Sequence, residues 1–145
     1  MLAVDTNILI AAAVEEAEGH AAALAWVEAL RAGRRAWFVT WAVVYEMLRV
    51  ATHPRVFPHP LRVEDAWHFV DELRASPSFG VLTATDRHAA VLGDLVREYP
   101  RLAGNILHDL HTVALMREHG VREIHTADRD FLRFRDLRVV NPLAA

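Results

Sequence analysis

Three short apolar runs in this chain show no alternation of apolar and polar residues: Leu2-Ala3-Val4, Ala36-Trp37-Phe38-Val39 and Phe79-Gly80-Val81-Leu82. A strand that is apolar on both faces has to be covered on both faces. Stretches with helical spacing separate the runs, which predicts an α/β fold with a central, mostly parallel sheet and helices on either side. Ile124-His125-Thr126 and Arg138-Val139-Val140 read as two further strands. Helices are expected after Asp5-Thr6-Asn7, over 20–32, 41–52, 63–73 and 86–99, and from Asn105 to Gly120. Thr40 and Asn105 are expected N-caps, and Gly33 and Gly120 expected terminators. Trp37, Trp41 and Trp67 fall at positions compatible with a core. Pro54, Pro58 and Pro60 exclude a helix or a central strand from 53–60.

Composition narrows the chemistry. A chain of 145 residues, 53% hydrophobic, predicts one domain over 1–145 that buries a core without staples. Cysteine is absent, which excludes a disulfide framework, a thiolate metal site and a cysteine nucleophile. All 16 basic residues are arginine, so a P-loop lysine, a Schiff-base lysine and a Ser–Lys dyad are excluded as well. The formal net charge of −3 does not advertise a nucleic-acid binder. Its distribution is uneven: Glu15, Glu16 and Glu18 cluster, and so do Arg129, Arg133, Arg135 and Arg138. The apolar run 8–14 is too short to span a bilayer, and no basic segment opens the chain. The expectation is a cytoplasmic protein with no membrane association.

Four carboxylates stand out. Two strands run into aspartate, Val4 into Asp5 and Thr126 shortly into Asp128. Either could be an ordinary cap of the turn that follows. Asp109 is three residues after Ile106 and four before Val113, within or beside the apolar stripe of its helix. An ionised carboxylate there needs compensation, from a cation or from a buried arginine. Glu46 has a half-apolar surround, with an ion pair to Arg49 as the bland alternative. In a parallel sheet, ligands bind beyond the carboxyl ends of the strands at the topological switch point. Four acids converging there would repel unless protonated or bound to a dication. Oxygen-only ligands favour Mg²⁺ or Mn²⁺ over zinc. Such a site suits the attack of water on a phosphodiester. His108 and His111 are three residues apart but lack a third well-placed ligand, and neither is assigned to metal.

Taken in order, these residues resemble the PIN domain, specifically the VapC-type toxins of bacterial toxin–antitoxin pairs. The matching features are Val4-Asp5-Thr6-Asn7, Glu46 after the second strand, Asp109 in a late helix, 126–131 (Thr-Ala-Asp-Arg-Asp-Phe) and Asn141-Pro142-Leu143. The resemblance implies a PIN-like three-layer α/β/α sandwich and a metal-dependent endoribonuclease that hydrolyses RNA with activated water. Carried over, Asp5, Glu46, Asp109 and Asp128 would be the catalytic and metal-binding acids, with Asp130 auxiliary. Thr6 or Asn7 would orient Asp5 or a water, and Arg129 and Arg133 would hold RNA phosphates. The implied partners are an RNA substrate, a VapB-like antitoxin and a second copy in a homodimer. The segment 53–60 would be a clamp for substrate or antitoxin, or a plain connector. Two other readings stay open: a non-catalytic PIN scaffold that binds RNA or protein, and a haloacid-dehalogenase-like phosphatase. Asn7 stands where the latter needs a second aspartate, and its usual lysine is missing.

Overall fold

A computed structural model describes residues 1–144. Five strands form one sheet: β1 (Leu2–Val4), β2 (Trp37–Thr40), β3 (Phe79–Leu82), β4 (Glu123–His125) and β5 (Arg138–Val140). The order is β3-β2-β1-β4-β5 and every pairing is parallel, so the sheet is wholly rather than mostly parallel. Among the described residues six α-helices connect β1 to β4, namely α1 (Thr6–Ala13), α2 (His20–Ala32), α3 (Trp41–Ala51), α4 (Val63–Arg74), α5 (His88–Glu98) and α6 (Ile106–Glu118), and a 3₁₀ turn joins β4 to β5.

The period of two along each strand splits the core. Leu2, Val4, Trp37 and Val39 pack with α1 to α4, whereas Ala3 and Ile124 pack with α5 and α6. That is the physical content of strands without alternation: both faces are dry. Phe38 lies opposite Gly80 in the register, and a Cβ on Gly80 would meet its ring at 2.9 Å. A side chain there would displace the phenyl ring, so the glycine reflects close packing rather than a bend.

Chain order decides where the site falls. From β1 the chain steps to β2 and β3 with its helices on one face. It then crosses by α5 and α6 on the other face and returns as β4 on the opposite side of β1. Right-handed crossovers moving in opposite directions place helices on opposite faces. The strand order therefore reverses between β1 and β4, and a crevice opens at their carboxyl ends. No helix among the described residues is long and apolar enough to cross a membrane.

Local expectations fail in identifiable places. Trp41 is 40% exposed and Trp67 39%, so neither is a core residue; of the three, Trp37 alone is buried. Both lie on surface-facing helix ridges, where sequence spacing alone cannot tell an edge of the apolar stripe from its centre. Asn105 does not cap α6. Its own backbone is helical (φ −62°, ψ −26°), and a side-chain cap needs an extended residue. Thr40 does cap α3, its hydroxyl accepting from the Val43 amide at 3.1 Å. Gly120, at φ +70°, closes α6 in the left-handed region that favours glycine.

Candidate metal centre

Asp5 directly follows β1 and, in an extended conformation, caps α1. Its Oδ1 accepts from the Thr6 amide at 2.8 Å. Its Oδ2 accepts from the Asn7 side-chain amide at 3.1 Å and from the Thr126 hydroxyl at 2.7 Å. On the other side of the crevice, Asp128 caps the 3₁₀ turn Arg129–Arg133, its Oδ1 accepting from the Asp130 amide at 2.8 Å. The bland capping role expected for both aspartates is thus real, and it also aims both carboxylates into the crevice.

Thr126 ties the two strand ends together. While donating to Asp5, its oxygen accepts from the Asp128 backbone amide at 2.9 Å and from the Asn7 side-chain amide at 3.1 Å. Asn7 completes the lace by accepting from the Ala127 amide at 3.0 Å. In the sequence Thr126 stands out only as part of a motif, with no role of its own. The one signal for it is position, a hydroxyl at the end of a strand two residues before an acid. Thr6 donates its hydroxyl to Glu46 Oε2 at 3.2 Å, which holds the exposed glutamate of α3 toward the same crevice.

Asp109 reaches the crevice from the first turn of α6 and is half-buried. One carboxylate oxygen each from Asp109, Asp128 and Asp130 lie within 4.8 Å of one another. The tightest trio thus includes Asp130, expected only as auxiliary. Asp5 and Glu46 line the same cleft, about 820 Å³ in volume, but stand outside that trio. Both oxygens of Asp5 accept hydrogen bonds from Thr6, Asn7 and Thr126. Arg129 and Arg133 are exposed on the turn after Asp128. The arginine on the cleft wall is instead Arg49 of α3. His108 is exposed at the rim, and His111 lies against the His88 ring, away from the acids.

The crowding has an electrostatic signature. Burial, together with Asp5, Asp128, Asp130 and Glu46, pushes the Asp109 carboxyl up from 3.8 to about 7. Burial also raises Asp5, helped by Glu46 and Asp128, despite the Thr126 and Thr6 hydrogen bonds that pull the other way. Among the described residues, none of the five acids is in a salt bridge, and neither is Arg49. The buried-arginine alternative for Asp109 and the Arg49 pairing for Glu46 are both excluded by that geometry. Carboxylate oxygens this close, uncompensated and in the absence of any sulfur donor, fit a hard divalent cation.

The model of the PIN domain family matches residues 2–137. The chain belongs to the PIN domain family. Over nearly its whole length this PIN domain is similar to VapC ribonucleases of Mycobacterium tuberculosis. It is 32% identical to ribonuclease VapC48 over 143 residues, covering 97% of this chain and 96% of that one. It is 33% identical to ribonuclease VapC37 over 144 residues, covering 99% of each. In fold it is similar to VapBC2 of Rickettsia felis, solved with a promoter DNA fragment, with a TM-score of 0.66 at 15% identity and 97% of each chain covered. The sarcin–ricin-loop-cleaving toxin VapC20 of M. tuberculosis matches with a TM-score of 0.61 at 21% identity, over 92% of this PIN domain and 94% of that chain.

Proposed function

We infer that this PIN domain is the toxin of a VapBC-like toxin–antitoxin pair, an endoribonuclease that hydrolyses RNA phosphodiester bonds. The single observation that carries the reading is the set of five acids gathered at the β1/β4 switch point without a basic partner, with three of them within 4.8 Å. The relatives named as ribonucleases support it. The reading takes 1–145 as one catalytic unit. Its partners are RNA, a VapB-like antitoxin and a second copy of the chain, and solved VapBC assemblies of the same fold support the antitoxin.

Asp109, Asp128 and Asp130 are the candidate holders of Mg²⁺ or Mn²⁺, with Asp5 and Glu46 completing the acidic wall. A divalent ion supplies charge compensation for the acids and for the phosphate, and makes water more acidic. The residues of the chain do the rest. Asn7 and Thr126 donate to Asp5 Oδ2 and so hold its carboxylate toward the cleft. Asp109, its carboxyl raised to about 7 by burial and by the neighbouring acids, would hold the ion as a carboxylate. Thr6 orients the exposed Glu46 carboxylate through its hydroxyl. Arg129 and Arg133 stand beyond Asp128, where they can hold phosphates of a bound strand.

The test is cleavage of structured and unstructured RNA with Mg²⁺ or Mn²⁺ and with chelator, beside Asp5→Asn and Asp109→Asn. Internal cleavage is expected only in the metal-supplied, unsubstituted protein. Cleavage that survives chelator and both substitutions contradicts the reading.

A further inference from the structure

The two sides of α3 differ in kind. Val43, Val44, Met47 and Ala51 face the core, while Trp41, Ala42, Tyr45, Glu46 and Arg49 are exposed. Tyr45 is 71% exposed, an unusual place for a large ring that gains by contact. It lines the cleft together with two groups of opposite charge, Glu46 next in the chain and Arg49 four residues on. Positions four apart share a helix ridge, about 6 Å from one another along the axis. Among the described residues lining the cleft, Arg49 is the one permanent cation.

That arrangement answers a problem the acids create. A polyanion approaching five carboxylates is repelled, and a bound dication offsets the repulsion only at its own position. A strand held at the lip needs a cation for its backbone and an apolar surface for its bases. We propose, resting on the endoribonuclease reading above, that Tyr45 is the stacking platform for an unpaired RNA base entering the cleft, and that Arg49 holds the phosphate beside it. Stacking is indifferent to base identity because every base has a π-face, but a paired base inside a duplex has that face covered. The Tyr45–Arg49 pair therefore selects unpaired segments over helical ones. Trp41, one turn before Tyr45 and 40% exposed, adds a second aromatic ring to the ridge. Trp41 and Ala42 give the ridge some apolar surface as well; what favours a nucleic acid over a docked protein is the guanidinium of Arg49 on the same ridge, in a cleft lined by five acids.

The experiment uses a single-stranded RNA oligonucleotide carrying 2-aminopurine, and the same sequence annealed to its complement. Binding is measured with the full chain held inactive by Asp5→Asn, and cleavage with otherwise unsubstituted protein. Tyr45→Ala is expected to weaken single-strand binding by about tenfold or more and to abolish the fluorescence quenching, with little effect on duplex binding. Tyr45→Phe restores both. In cleavage, Tyr45→Ala raises KM more than it lowers kcat. Arg49→Gln reduces the slope of log K against log salt by about 0.7, the value for one single-strand phosphate contact. A protein that cleaves RNA normally, and whose Tyr45→Ala form binds and quenches like its parent, overturns the proposal and leaves the endoribonuclease reading standing. Loss of antitoxin binding in Tyr45→Ala with RNA binding intact also overturns it, and makes the ridge a protein interface. An unsubstituted chain that neither binds nor cleaves RNA removes the endoribonuclease reading, and the proposal with it.

Discussion

Asp109 and Glu118 lie on the same helix, one in its first turn and one in its last, and their charges are handled in opposite ways. The helix dipole predicts the reverse of what is found, since it favours an anion at the N-terminus and penalises one at the C-terminus. Yet the carboxyl of Asp109 is pushed up to about 7, and that of Glu118 is pulled down to about 2. Burial alone does not separate them, because the Glu118 side chain is 0% exposed and burial pushes it upward too. The difference is partners. Glu118 accepts from His88 Nδ1 at 2.7 Å, the Thr85 hydroxyl at 2.7 Å and the Thr85 amide at 2.8 Å. Arg87 in turn donates to the Glu118 carbonyl oxygen. Asp109 faces four other acids and has no basic partner among the described residues. One end of α6 is finished by the fold; the other is left for something the fold does not contain.

The sharpest way to break this contrast is to remove each charge in turn. Asp109→Asn should lower RNA cleavage by at least about 100-fold, given that losing even a group behind a metal ligand costs 10- to 100-fold. Glu118→Gln, assayed below its melting temperature, should leave cleavage per folded molecule unchanged. Equal losses in the two variants would show that both ends of α6 serve only the fold. The two threonines sharpen the comparison. Thr126→Val removes the hydroxyl that holds Asp5 and should weaken Mn²⁺ binding by about 10- to 100-fold in a calorimetric titration. Thr85→Val removes a hydroxyl that holds Glu118 and should leave Mn²⁺ affinity untouched.

Stability should divide the same way. Glu118→Gln is expected to cost about 1–3 kcal/mol in urea unfolding, as donors aimed at a buried carboxylate lose their acceptor. Asp109→Asn should make the metal-free protein more stable at pH 8, because an uncompensated charge disappears. The pH dependence follows with opposite signs. Glu118 has a folded value below its ordinary 4.5, so its contribution is complete above 4.5 and is lost as pH falls toward about 2. Asp109 has a folded value above its ordinary 3.8, so its contribution is complete below 3.8 and is lost as pH rises through about 7. Metal-free urea melts from pH 3 to pH 8 should therefore show each slope vanish in its own substituted variant, and saturating Mn²⁺ should flatten only the upper one.

The same contrast explains how much of the molecule is legible in the sequence. Strands dry on both faces announce themselves by lacking alternation, and capping residues mark where β1 and β2 hand over to helices. Asp109 is visible because a charge beside an apolar stripe needs a reason. Asp130 is less so: on a short exposed turn, nothing in its spacing shows that it closes on Asp109. Glu118 gives no signal because it sits in an ordinary C-terminal turn, and its partners come from the distant segment around Thr85 and His88. Thr126 and Arg49 are hidden for a related reason. A threonine at a strand end and an arginine on a helix are ordinary until the β1/β4 reversal and the packing of α3 bring them to one cleft. Asn105 and Trp41 mislead the other way, since local pattern suggests a cap and a core residue that backbone conformation and helix rotation deny.

The most direct measurement is anomalous scattering from crystals of the chain grown or soaked with Mn²⁺ near pH 7.5. A manganese peak among the carboxylates of Asp109, Asp128 and Asp130, absent from Asp109→Asn crystals, is the predicted result. Full-occupancy manganese elsewhere with that cleft empty, or no peak at saturating metal, would contradict the account.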